Sequence, residues 1–249
     1  MRRPGLGAVP DPRLQKPGAR TSIDTLCCRR DASTFPATRP NLEICMKLYF
    51  SPGSCSLSPR IVLSELGLPA DMVKVNLQTK TLDGGGDFRA INPKGYVPVL
   101  QLDDGSILTE GPAIVQYLAD RKPDAKLAPA HGTLERYRLQ EWLNFISTEL
   151  HKQFSPLFNP ASTDAVKEAQ KQRLGERFNL ISQTLAKQDY LLPSGFSVAD
   201  AYLYTVLSWA GATGPALTSW PALQAFMARM QARPGVAAAL AADRDAKKS

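Results

Sequence analysis

From Met46 onward the apolar positions follow two periods in succession. Short alternating runs come first, and they predict strands at residues 47–50, 72–76, 97–102 and 106–108. Between them, residues 57–66 predict a helix stopped by Gly67, and residues 87–90 a short helical piece after the breaker Gly84-Gly85-Gly86. Asp103-Asp104-Gly105 is a hairpin signal, and residues 111–121 predict an amphipathic helix with Ile114, Val115 and Leu118 on one side. After a linker at 123–129 the pattern turns helical throughout. Residues 133–153 carry Leu139, Trp142, Leu143, Ile146 and Leu150 near the helical repeat. Further helices are predicted at 165–185, at 198–209, which is apolar nearly all round and must be buried, and at 221–233, ended by Pro234-Gly235. Ser197 with Asp200 three residues on reads as a variant capping box for the 198–209 helix. No internal repeat is found.

Composition changes this picture mainly at the N-terminus. The chain has 249 residues, 43% of them hydrophobic, enough to bury a sizeable core. No run is long and apolar enough to cross a bilayer, so neither a membrane nor an anchoring role is expected. Residues 1–45 hold eight Lys/Arg against four acids, leaving only +3 of the net +7 for Met46 onward. The folded part has no basic stripe with interleaved aromatics, so nucleic acid is not an expected partner. Residues 1–45 are also rich in proline and lack either period, and the expectation for them is disorder. They lack the apolar core of a secretory signal, and their four acids argue against a transit peptide. The reading favoured is that translation starts at Met46 and that residues 1–45 are not part of the native protein. The domain division expected is therefore a leader at 1–45, one domain at 46–124 and a second at 132–249.

Three of the four cysteines, Cys27, Cys28 and Cys45, fall in that leader and leave Cys55 alone. Structural disulfides and a cysteine zinc site are then excluded from the folded part, no metal is indicated, and a reducing cytoplasm is expected. Cys55 follows a strand and a Pro52-Gly53 turn and stands where a helix begins. Unpaired N–H groups and the positive dipole end at such a place make a thiol ionise more easily than usual. The plainer reading of Cys55 is a small buried hydrophobe. A cysteine at the first strand–helix junction gives the first half a thioredoxin-like character. The motif is Cys55-Ser56-Leu57-Ser58, however, so an internal dithiol switch is ruled out and redox chemistry would need an external thiol.

The most specific signal lies further on, in Asn92-Pro93-Lys94-Gly95-Tyr96-Val97-Pro98 followed by Thr109-Glu110-Gly111. Val97-Pro98 is a plausible cis site, which would present the Val97 backbone sideways to an extended peptide. Glu110-Gly111 opens a helix, where free N–H groups suit a carboxylate and the Glu110 side chain suits an amino group. With Cys55, Leu57-Ser58-Pro59, Glu141-Trp142-Leu143-Asn144, Thr148 to Lys152 and Ser197 to Tyr202, these features resemble the glutathione transferase family and look like its bacterial beta class. The resemblance runs from Met46 almost to the C-terminus.

That resemblance implies an α/β thioredoxin-like N-terminal domain followed by an all-α C-terminal domain. Glutathione would be a co-substrate, with no tightly bound cofactor. Cys55 would sit beside the glutathione sulfur, as a mixed-disulfide partner or a polar neighbour, with Lys80 at the glycine carboxylate. Val97 would meet the cysteinyl backbone and Glu110 with Gly111 the γ-glutamyl end. Asn144, Thr148 and His151 would complete the pocket, some reaching across a homodimer. Residues 144, 148 and 151 fall at i, i+4 and i+7, one polar stripe on a helix, from which His151 could donate to a sulfur anion. The plainer readings are a solvated helix face, an exposed Lys80 and a first-turn acid at Glu110. Many relatives have tyrosine where this chain has Phe50, and strand alternation turns Tyr49 to the opposite face. The catalytic expectation therefore falls on Cys55 and His151. Phe154, Phe158 and Trp209 form a shelf for a small apolar electrophile or else pack in the core. The activity expected is conjugation of glutathione to such electrophiles in detoxification, with possible thiol–disulfide exchange. The alternative is a protein that binds and sequesters apolar ligands without chemistry.

Overall fold

The computed structural model describes residues 46–248. The readings of residues 1–45, and Cys27, Cys28 and Cys45 with them, lie outside the described residues. The chain runs β1 (Lys47–Phe50), α1 (Leu57–Leu66), β2 (Asp71–Asn76), β3 (Thr81–Leu82), β4 (Val99–Gln101), β5 (Ile107–Thr109) and α2 (Gly111–Asp120). The strands form one mixed sheet in the order β3-β2-β1-β4-β5, with β1 and β2 parallel and the other pairs antiparallel. This is a thioredoxin-like unit, and a helical half follows it. There α3 (Leu134–Phe145) passes through a π-helical segment (Ile146–His151) into α4 (Lys152–Phe158), and α5 (Asp164–Leu185), α6 (Val198–Leu207), α7 (Pro221–Gln231) and α8 (Pro234–Lys248) complete the chain.

Side-chain alternation in β1 divides the core. Leu48 joins a large apolar cluster with Ile61, Val62, Leu118, Leu139 and most of α6, continuous from the sheet into the helical half. Tyr49 points the other way, into a small cluster with Val75, Phe88, Val97 and Val99. Helix α1 is enclosed by α2, α6 and α8, which explains why its apolar residues do not keep to one stripe. Gly67 ends it in a left-handed conformation at φ 59°, where a side chain would be strained. Every residue of α6 is buried, as its apolar run requires. At its start the Asp200 carboxylate accepts from the Ser197 N–H and hydroxyl, both at 2.8 Å, and from the Leu191 N–H. Burial pushes the Asp200 carboxyl up to about 6 against the pull of these donors. Among the described residues, no helix is long and apolar enough to cross a membrane.

Three expectations are corrected. The 133–153 helix is interrupted by the π segment, whose wider turn changes which residues share a face. A fifth strand, β3, follows residues 71–76 and escapes the pattern because it is two residues long. The helix before Pro234-Gly235 does stop there, at Gln231, but it is not the last, because Pro234 opens another. A proline in a first helical turn forgoes an N–H that has no partner anyway, so it starts α8 without loss. Gly235 is needed there for close approach, since a Cβ would lie 2.7 Å from the Glu65 side chain of α1. Glu65 in turn accepts from Arg233 at 2.9 and 2.7 Å, so α8 begins clamped to α1.

Candidate active site

The thioredoxin-like wall of the site is built from turns. Ser51 to Ser54 fold tightly, with the Ser54 N–H and the Ser56 hydroxyl both bonded to the Ser51 carbonyl, and Gly53 at φ 74°. Cys55 follows, two residues ahead of α1, and its thiol donates to the Val97 carbonyl at 3.2 Å. The Val97–Pro98 bond is cis. At the end of β5, Glu110 adopts φ 69° and Gly111 opens α2. Its carboxylate accepts from Lys94 Nζ at 2.8 Å, and the same ammonium reaches Thr109 Oγ1 at 3.2 Å. Lys80, also at positive φ, donates to the Gly95 carbonyl at 3.0 Å.

This wall is held from the helical side. Trp209 Nε1 donates to the Gly53 carbonyl at 3.0 Å, and the Gly53 N–H donates to Asp243 of α8 at 2.9 Å. Asp243 also pairs with Arg60 of α1, which is buried and lies 4.3 Å over the Phe50 ring. The residue at position 50 thus serves as a platform for a cation. The Tyr49 hydroxyl donates to Gln101 at 2.8 Å on the far side of the sheet, away from the site.

The opposite wall comes from side chains on helices. His151 stands at the end of the π segment, with Nδ1 2.7 Å from the Tyr202 hydroxyl and its ring 5.0 Å from that of Trp209. Burial and the neighbouring Lys152 cation push its pKa down to about 4, against a weaker opposite pull from Glu110. At neutral pH the ring is uncharged.

Two adjoining cavities lie between the walls. The larger, about 540 Å³, is lined by Cys55, Lys80, Val97, Glu110, Gly111 and His151 among others. The smaller, about 340 Å³, is bounded by Pro52, Leu77, Phe158 and Trp209. Ser54, Cys55, Leu77, His151, Ser155 and Phe158 line both, so the cysteine and the histidine stand at their junction.

Most of the residues picked from the sequence meet here; the easy ionisation expected of Cys55 is overturned, the core alternative holds for Phe154, and Asn144 and Thr148 do not reach the cavities of their own chain. Cys55 does not ionise readily: burial pushes its thiol up to about 11, outweighing the nearby backbone N–H groups and Lys152. Desolvation of a small anion exceeds what two peptide dipoles return, and the helix proper begins only at Leu57. Asn144 and Thr148 are exposed and line neither cavity; the Thr148 hydroxyl instead bonds the Asn144 carbonyl at 3.0 Å. The π turn rotates His151 away from them, and Ser147 lines the larger cavity with it. Phe154 is fully buried core, packed behind Trp209 at 5.6 Å between ring centres, which leaves Phe158 and Trp209 to form the shelf.

Sequence reasoning missed Lys94, Ser147, Ser155, Tyr202 and Asp243 as site residues. A signal existed for Tyr202, because a phenol in an otherwise apolar helix needs a partner for its hydroxyl. For Asp243, on a helix that was not foreseen, there was none.

The family model for the glutathione S-transferase N-terminal domain matches residues 52–121, and that for the C-terminal domain matches 145–234. Glutathione S-transferase GstA of Escherichia coli O157:H7 is 45% identical over 80% of this chain and 98% of its own length. The chain belongs to the glutathione S-transferase family. A solved ternary complex of BphK, a bacterial member, is 55% identical with a TM-score of 0.78, covering 80% of this chain and 99% of that one. A bacterial beta-class glutathione S-transferase from Sphingomonas chungbukensis is 47% identical with a TM-score of 0.77, covering 79% and 98%. This protein is a glutathione transferase of the bacterial beta class, with the thioredoxin-like and helical parts of that fold.

Proposed function

We propose that the protein conjugates glutathione to small apolar electrophiles, with the tripeptide in the larger cavity and the electrophile in the smaller. The junction of the two cavities at Cys55 and His151 carries this reading. Val97 offers a backbone N–H and C=O to pair with the cysteinyl residue as an added strand. Glu110 accepts the γ-glutamyl ammonium beside Lys94, and the Gly111 end of α2 receives the α-carboxylate. Lys80 keeps free donors after bonding Gly95 and takes the glycine carboxylate. The glutathione sulfur then lies at the mouth of the apolar cavity.

Catalysis consists of favouring the sulfur anion and aligning it. The thiol proton leaves to solvent, neutral His151 donates a hydrogen bond to the sulfur, and the thiolate forms a C–S bond as the leaving group departs with its electron pair. Cys55, itself held as a thiol by burial, serves as a polar neighbour, which favours conjugation over exchange through a Cys55 disulfide. A division into domains at 46–124 and 132–249, a cytoplasmic location and a detoxification role belong to the same proposal. So does a homodimer, supported by the exposed Leu134 and Tyr137 on α3, the helix that carries outward-facing Asn144.

Cys55→Ala tests the assignment. Conjugation of a chloronitrobenzene should stay within about threefold of the parent, the scale of one neutral hydrogen bond, while any reduction of a mixed disulfide is lost. Alkylation of Cys55 in the unliganded parent should accelerate as pH rises toward about 11. Loss of conjugation in the variant, or a thiol fully reactive at neutral pH, would move the chemistry onto Cys55. Absence of glutathione binding by calorimetry would sink the whole reading.

A further inference from the structure

We propose that Tyr202 is a positioning residue: its buried hydroxyl holds His151 in the tautomer that carries the ring proton on Nε2, so that this nitrogen donates into the cavity shared with Cys55. Neither the family match nor the sequence pattern assigns it such a part.

Tyr202 lies within α6, where every residue is buried, and is itself 2% exposed. A phenol so placed must satisfy its hydroxyl locally or lose the solvation of that group. It does so at the site, 2.7 Å from His151 Nδ1. The Ser147 side chain opposes, in part, the effect of burial on the phenol, which places its hydroxyl close to the phenol oxygen. A buried phenol O–H needs an acceptor, and Nδ1 at 2.7 Å supplies it, so the phenol is assigned as the donor to Nδ1. A neutral imidazole has one donor and one acceptor nitrogen, so accepting at Nδ1 commits Nε2 to donate. Burial keeps the phenol protonated throughout, since it raises the Tyr202 pKa.

Ser147 and His151 lie four residues apart within the π segment and line the same cavity. The groups that face the ring are Cys55 from the turn before α1, Glu110 at the head of α2, Lys152 next in sequence, and Tyr202 and Trp209 from the α6 side. Of these, Tyr202 is hydrogen-bonded to a ring nitrogen. The tautomer stands independently of the ligand; its catalytic consequence rests on the glutathione reading above.

The deciding experiment is nitrogen NMR of isotope-labelled histidine rings in the unliganded protein, with His151 told from His131 by a His151→Gln variant. The expected result is a bare Nδ1 and a protonated Nε2, changing to a mixture of tautomers in Tyr202→Phe. Conjugation by Tyr202→Phe should fall about threefold to tenfold in kcat, one hydrogen bond's worth, with KM for glutathione within about twofold. The apparent pKa of the bound glutathione thiol, followed by thiolate absorbance, should rise. In a His151→Gln background the same change should cost nothing further. A proton on Nδ1 in the parent, or an equal loss in the His151→Gln background, would overturn the proposal. Should Tyr202→Phe fail to fold, the parent spectrum decides alone. Failure to bind glutathione would remove the catalytic consequence and leave the tautomer assignment standing.

Discussion

The wall that carries Cys55, Val97 and Glu110 is made of backbone fixed in turns, whereas the wall that carries His151 and Tyr202 is made of side chains fixed by packing between helices. A turn declares itself in a few adjacent residues: Pro52-Gly53, Val97-Pro98 and Glu110-Gly111 each sit where the structure places a constrained backbone. A helical wall depends on phase, and one π turn is enough to exchange which side chains face the cleft. The first wall is therefore local in origin but, through Gly53, Arg60 and Asp243, not local in support.

Breaking that support gives the largest effect. Arg60→Leu leaves the partly buried Asp243 carboxylate without its cation and should cost about 3 kcal/mol of stability, measured by urea unfolding. It should also loosen the Gly53 turn, seen as faster alkylation of Cys55. A loss of stability with no change at Cys55 would show that the turn holds itself, and the contrast between the walls would sharpen.

The next effect tests the helical wall through pH. His151 has a folded-state pKa of about 4, below the ordinary 6.5, so the folded protein binds that proton less well than the unfolded chain. The corresponding stability is complete above pH 6.5 and drains away as pH falls toward 4. Asp200, raised to about 6, acts in the opposite sense, but equally in parent and variant. Between those pH values the parent should lose about 2 kcal/mol more than His151→Gln, read from unfolding curves. Parallel losses would mean that the ring is solvated and the wall open.

The smallest effect concerns the residues that turn outward. Thr148→Ala should change stability by no more than about 0.5 kcal/mol, as expected for an exposed position. If Asn144 and Thr148 serve the cleft of a second copy, the parent sediments as a dimer at micromolar concentration and the variant binds glutathione about threefold more weakly, the scale of one hydrogen bond. A single monomer boundary would remove the homodimer proposal and leave the cleft with the residues of one chain.

The elements were legible where local rules decide them. The strand at 47–50, the helix at 57–66 and its Gly67 stop, the capping box at Ser197 and Asp200, and the buried helix after it follow from periodicity and from residues that suit particular backbone shapes. Phe158 and Phe154 illustrate the limit. Both are aromatic, four residues apart on the same helix, yet one is half exposed at the cavities and the other fully buried behind Trp209. Nothing within the helix distinguishes them; the neighbour packed against each does.

The sequence by itself determined the order of elements, the turn that carries Cys55, the backbone groups at Val97 and Gly111, and the family. Those depend on a few consecutive residues and on steric rules acting over one turn of chain. The tertiary structure alone decided that Cys55 is held as a thiol, that His151 faces the cleft without the Asn144 and Thr148 of its own chain, and that Tyr202 and Asp243 reach the site from distant helices. Solvation and helix phase are set by everything that surrounds a group in space, and the chain brings those neighbours from 51 to 190 residues away.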